Sequence, residues 1–170
     1  MMTAKPEKYE FERHVVLVAP EIHWNTGNIG RTCLAVDACL HLIEPLGFAL
    51  DDRNLKRAGL DYWKDVKLQV WKNFDRFVEA MAAPDTQIAV FSKTGAESFR
   101  CLPQTRRLFL IFGSETKGLP AGIRRRYAVS TYHIPIRSAI RSLNLSTAVG
   151  IALYESLRST ALAHEWPPTT

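Results

Sequence analysis

Arg107-Leu-Phe-Leu-Ile-Phe-Gly-Ser-Glu-Thr-Lys-Gly-Leu-Pro120 is the stretch from which the fold of this chain can be read. Arg107 to Phe112 is the most apolar of the predicted strands and shows no polar alternation. A strand of that kind is covered on both faces, which places it near the centre of a parallel sheet. It runs directly into a polar turn bounded by Gly113 and Gly118. A short helix from Pro120 to Arg126 is expected next, with proline at its first position, where a missing N–H costs nothing. In open parallel sheets the turns at the carboxyl ends of strands are where ligands bind.

The rest of the chain repeats this alternation in both directions. His14–Ala19, Leu42–Glu44, Val66–Trp71, Gln87–Phe91 and Val129–Ile134 read as strands. Helices are expected at Ile29–Leu40 with Asn28 as N-cap, at Asp51–Ala58 ended by Gly59, at Asn73–Ala82 and at Asn144–Leu162. The last carries the stripe Leu145, Ala148, Val149, Ala152, Leu153 and Leu157. Strands alternating with helices give an α/β domain with a mainly parallel sheet flanked by helices. One domain is expected over residues 14–163, with a leader over 1–13 and a fraying tail over 164–170 that contains Pro-Pro.

Composition narrows the class. The chain has 170 residues, 46% hydrophobic and 23% charged, ordinary for one globular domain. No apolar run reaches the roughly 20 residues of a membrane span. The start, Met1 to Arg13, is too polar for a signal peptide, so a cytoplasmic location is expected. The net charge of +5 is compatible with a polyanionic partner. Arg106, Arg107, Arg124, Arg125, Arg126, Arg137 and Arg141 hold much of that charge late in the chain, either as a solvated face or as a nucleic-acid contact. Cys33, Cys39 and Cys101 form no CxxC and read as buried reduced thiols, the first two on one helix. The five histidines are scattered, so no metal site is expected.

Three turns carry residues suited to a ligand: Asn25-Thr-Gly-Asn-Ile-Gly-Arg31, Gly113-Ser-Glu-Thr-Lys-Gly118, and Ile134 to Ser146. Glycines let backbone groups approach a ligand closely. The dinucleotide fingerprint GxGxxG and the phosphate loop GxxxxGK[ST] are both missing, which disfavours a dehydrogenase or an NTPase. Arg31, read as lying in the first turn of a helix, opposes the helix dipole, which raises the case for a ligand contact. Asn25 and Asn28 could equally cap local backbone groups.

Taken together, NTGNIGR (25–31), FGSETKGLP (112–120) and RSLNLSTAVGIALYE (141–155) resemble the three motifs of the SpoU-type ribose methyltransferases of the SPOUT superfamily. EPLGFALDDRNLKRAGLDYW (44–63) is similar to the wobble-position members, and the resemblance spans His14 to about Arg158. It implies a C-terminal trefoil knot and S-adenosylmethionine as cofactor, without a metal. It also implies a homodimer that completes the site, and transfer to the ribose 2′-hydroxyl of a wobble cytidine or uridine in the anticodon stem-loop of leucine tRNAs. By position it assigns Phe91, Gly113, Ile134, Ile136, Ser142 and Leu143 to the cofactor. It assigns Asn28, Arg31, Glu115, Asn144, Ser146 and Tyr154 to the reacting sugar.

Ser138-Ala139-Ile140, Gly30, His23 and Trp24 depart from the relatives. An aromatic ring at the last two could stack on an anticodon base or simply pack in its loop. Methylation of ribosomal RNA or of another tRNA position, and RNA binding without catalysis, stay open as alternatives.

Overall fold

A computed structural model describes residues 11–50 and 61–158. The expected helix at 51–58 and the end of the last helix beyond 158 lie outside them. Seven strands form one sheet: β1 (Glu12–Val18), β2 (Cys39–Ile43), β3 (Leu68–Trp71), β4 (Ile88–Phe91), β5 (Glu97–Ser98), β6 (Arg107–Phe112) and β7 (Thr131–His133). Their order is β3-β2-β1-β6-β4-β7-β5, and every pairing is parallel. β6 lies between β1 and β4, at the centre, as its continuous apolar run requires.

Side chains alternate across the pleat into two cores. On one face Val15, Leu17, Leu40, Leu108 and Leu110 meet Ile29 and Cys33 of α1 (His23–Ala35) and Val149, Ala152 and Leu153 of α4 (Leu145–Ser156). On the other, Val16, Val18, Phe109 and Ile111 meet Phe74 and Phe77 of α2 (Phe74–Met81) and Ile123 of α3 (Ala121–Arg126). Each fully buried Leu, Ile or Phe contributes about 1.5–3 kcal/mol over its exposed state. Two covered faces are therefore what drives the sheet to form.

Several boundaries differ from the sequence reading. α1 begins at His23, six residues before the expected Ile29, and Asn28 lies inside it rather than capping it. The early turns bury Asn25, Thr26, Gly27 and Gly30, so they carry no apolar stripe for a periodicity to reveal. Gly30 is held bare because a Cβ there would lie 2.5 Å from the Trp63 ring. The helix also stops early: Asp37 takes φ 58°, and Cys39 opens β2 instead of continuing α1. Buried Val36 and Leu40 sit at helical spacing by coincidence, one after the helix end and one in the strand.

Cys33 and Cys39 are thus on different elements. Cys33 is buried, but Cys101 is exposed, against expectation. β1 starts at Glu12, so the last two residues assigned to the leader are strand residues. The expected 129–134 strand is a 3₁₀ turn, Ala128–Ser130, followed by the short β7. The polar loop 92–98 holds β5, and Pro120 caps α3 rather than opening it.

Candidate active site

Three adjacent strands, β6, β4 and β7, end side by side. Phe91 closes β4, Gly113 and Ile134 follow directly on β6 and β7, and the chain after β7 folds back over them. The result is a cavity of about 580 Å³, within the range of small-molecule sites. Its apolar wall includes Phe91, Phe112, Ile134, Ile136 and Leu143. The Phe91 and Phe112 rings stack with centroids 4.7 Å apart.

The second turn is built by close approach. A Cβ on Gly113 would lie 2.1 Å from the Gly118 carbonyl carbon, and Gly118 itself has φ +66°. The Gly118 N–H donates to the Ser114 carbonyl at 2.9 Å and closes the turn. This geometry aims Glu115 at the first turn. One Glu115 oxygen accepts from the Glu21 N–H at 2.8 Å, the other from Asn25 Nδ2 at 2.9 Å. Asn25 Oδ1 accepts from Asn144 Nδ2 at 3.0 Å. Asn144 Oδ1 in turn caps α4, accepting from Ser146 N–H at 2.8 Å and from Ser146 Oγ at 2.7 Å. A single chain of hydrogen bonds therefore ties together all three turns, which lie far apart in sequence.

Of the residues singled out from sequence, Phe91, Gly113, Glu115, Ile134, Ile136, Ser142, Leu143 and Asn144 line the cavity. Ser146 sits one step behind Asn144. Asn28, Arg31 and Tyr154 are not among the lining residues and are exposed. The guanidinium of Arg31 lies 4.6 Å above the Tyr62 ring, whose hydroxyl donates to the Gly27 carbonyl at 3.1 Å. Because α1 starts at His23, Arg31 is well past the first turn. The dipole argument for it therefore lapses, and its exposure carries the case instead.

Sequence reasoning undervalued Asn25 as a mere cap. It is 5% exposed and holds both Glu115 and Asn144. Glu21 was missed; its carboxylate accepts from the Thr116 N–H and hydroxyl. The signal was Asn25 standing three residues before Asn28, visible only once the helix is known to begin before both.

Charge is asymmetric around the site. Lys93, Lys117, Arg124 and Arg141 line it against one carboxylate, Glu115. Arg106 and Arg107 lie instead at the start of β6, the opposite end of the sheet. Arg107 spends its guanidinium there on the Met81 carbonyl at 2.8 Å and on the Phe109 ring at 4.7 Å. Of the late arginines, Arg124 and Arg141 thus face the cavity, while Arg107 is engaged at the far end of the sheet and Arg126 lies over the Tyr127 ring.

The sequence pattern of the SpoU rRNA Methylase family matches residues 12–154. The chain belongs to that family. Among relatives of this SpoU methylase is a tRNA (cytidine(34)-2′-O)-methyltransferase of Burkholderia ambifaria, 42% identical over 146 residues, which are 85% of this chain and 94% of the relative. A solved structure described as giving insights into the 2-OH methylation of C/U34 on tRNA is 43% identical, with TM-score 0.78 over 88% of this chain and 96% of that one. The AdoMet-bound rRNA methyltransferase of Sinorhizobium meliloti is 25% identical, with TM-score 0.73 over 86% of this chain and 56% of its own.

The cavity of the SpoU methylase suits such a cofactor. It offers an apolar wall of Phe91, Phe112, Ile134, Ile136 and Leu143 together with a polar side held by Asn25, Glu115 and Asn144. Residues 134–144 lie outside any helix or strand, so their N–H and C=O groups are not consumed in a ladder and can read a ring edge.

Proposed function

We propose that this chain transfers a methyl group from S-adenosylmethionine to the ribose 2′-hydroxyl of a tRNA nucleotide, the wobble cytidine or uridine of the anticodon, with leucine tRNAs as the expected substrates. The observation that carries the reading is the convergence of three remote turns on one cavity, joined through Glu115, Asn25 and Asn144. Relatives at 42–43% identity carry names for this reaction.

When bound, S-adenosylmethionine supplies a methyl on a cationic sulfur. The protein's task is then to align a sugar oxygen with that methyl, and positioning of this kind accounts for much of such a barrier. Phe91, Ile134, Ile136 and Leu143 hold the cofactor's flat ring and exclude water from it. Gly113 and Ser142 border the same cavity. The Asn25–Glu115–Asn144 chain fixes the polar side, and Ser146 keeps Asn144 in place. A guanidinium offers five N–H donors and no acceptor, so Arg31 acts as a phosphate grip beside the target rather than as a free base. Asn28, on the same exposed side, donates to or accepts from the same nucleotide. Lys93, Lys117, Arg124 and Arg141 draw the RNA backbone to the mouth, an attraction that weakens steeply with salt.

A homodimer and a knot complete the reading. Ile151 and Tyr154 share an exposed face of α4, 36% and 56% accessible, and we assign that face to a second copy. α4 packs against α1, so a partner there flanks the cavity's edge and gives Tyr154 its place near the substrate. The return of residues 134–144 across the strand ends, where Arg141 reaches the Thr116 carbonyl at 3.4 Å, suits a threaded C-terminal segment. The enzyme would work in the cytoplasm, where its tRNA is.

The test is to incubate the protein with methyl-labelled cofactor and total tRNA and to locate the label by nuclease mapping. Label at the wobble ribose of leucine tRNAs is expected. Label elsewhere in tRNA, or only in ribosomal RNA, would overturn the position. No label despite cofactor binding would overturn the reaction.

A further inference from the structure

One side of α1 carries exposed residues at helical spacing: Trp24, Asn28 and Arg31, at i, i+4 and i+7. The stripe is about 10 Å long at the rise of an α-helix. Along the chain it begins beside the cavity: Ile22 and Asn25 line the wall, while Trp24 between them faces solvent. Trp24 is 64% exposed, the most open aromatic ring among the described residues. It is also held. The His23 ring packs on it at 4.1 Å between centroids, and the Phe48 ring lies 6.4 Å beyond His23.

A lone exposed apolar side chain is ordinary on a protein surface. This one differs in its company. It heads a row of an amide and a guanidinium, and the cavity that its chain neighbours Ile22 and Asn25 border is lined by Lys93, Lys117, Arg124 and Arg141. Aromatic rings beside cationic groups are how proteins hold unpaired nucleic-acid strands: the ring takes a base face, the cations take phosphates. A second protein copy would call for a contiguous apolar patch, which this row lacks.

We infer that Trp24 is the stacking platform for a base next to the nucleotide whose ribose enters the cavity, and that the RNA strand leaves along Asn28 and Arg31. This rests on the methyltransfer to RNA proposed above. Every base offers a flat π-face, so Trp24 contributes affinity and register without choosing the base. Selection of the methylated nucleotide is left to the cavity itself.

The test compares full-length wild type, Trp24→Ala and Trp24→Phe on anticodon stem-loop RNA, intact or with an abasic site at either neighbour of the methylated position. Trp24→Ala should raise KM for intact RNA by about 10-fold or more, the scale of one lost base–aromatic stack. Its cofactor affinity, sedimentation and methylated position should stay as in wild type, and Trp24→Phe should recover most of the loss. On the RNA lacking the stacked base, wild type and Trp24→Ala should bind alike. An unchanged KM in Trp24→Ala overturns the inference. So does a penalty that persists on both abasic RNAs, or a shift in oligomeric state that makes Trp24 a contact between copies. A wild type that binds cofactor but methylates no RNA overturns the proposed function, and this inference with it.

Discussion

The two ends of the sheet use similar polar side chains to opposite purposes. At the carboxyl ends, Asn25, Glu115 and Asn144 are linked to one another yet border an open cavity. At the amino ends the polar groups are sealed in. Arg13 is 3% exposed and donates to the Ser156 carbonyl at 2.8 Å, the Ser156 hydroxyl at 3.1 Å, the Thr105 carbonyl at 3.2 Å and the Arg106 carbonyl at 3.1 Å. It thereby ties β1 to the C-terminus of α4, the end of a helix dipole where a cation is favoured. Within the sheet, Trp71 at the end of β3 reaches back so that its Nε1 donates to His41 Nδ1 of β2 at 3.0 Å. His41 must then be neutral with its proton on Nε2, from which it donates to His14 Nδ1 at 2.9 Å. Burial, foremost, holds His14 down to about 3 and His41 to about 4, with Arg107 adding to both. One end is braced; the other is set in place but left open to meet a ligand.

This contrast can be challenged variant by variant. The largest effect belongs to the open end: Arg31→Ala should cut methylation by about 10³-fold, near 4 kcal/mol, while calorimetry finds the cofactor affinity unchanged. Equal loss of both would make Arg31 structural. At the braced end, Arg13→Met should lower stability by about 3 kcal/mol in urea unfolding, since several buried carbonyls lose their donor. Below the unfolding transition its activity should match wild type. Asn25→Ala should lower kcat by about 10²-fold, because Glu115 and Asn144 lose their common partner, with only a small change in denaturant midpoint.

The smallest effect is set by pH. The unfolded chain protonates these two histidines near 6.5, whereas the folded chain resists until about 4 and 3. Their contribution is therefore intact above pH 6.5 and is lost progressively as the pH falls toward 4. A loss of about 1.4 kcal/mol for the pair between pH 7 and 6 is expected, read as a falling Tm. A Tm independent of pH in that window would mean that the histidines are not sealed.

What could be read beforehand followed the strength of the local signal. β6 was legible because six residues without a polar break have one explanation in a covered sheet. The start of α1 was not, because its buried face is made of Asn25, Thr26, Gly27 and Gly30. Those residues are inside because other parts of the chain need them there: Tyr62 bonds the Gly27 carbonyl, the Trp63 ring covers Gly30, and Glu115 and Asn144 hold Asn25. Reading them as a loop also misplaced Asn28 as a cap and Arg31 as a first-turn misfit.

By itself the amino-acid order determined the alternation of strand and helix, the central strand and the three turns rich in glycine and amide side chains. All of these rest on interactions between residues near in sequence: periodicity, turn chemistry and steric limits on the backbone. Only the tertiary structure decided which of those polar groups share one cavity, that Arg124 and Arg141 face it while Arg107 is engaged at the far end of the sheet, and that Arg13 is walled in while Trp24 stands open. Those outcomes depend on contacts between residues as much as 143 positions apart, as for Arg13 and Ser156, and no local pattern encodes a pairing at that range.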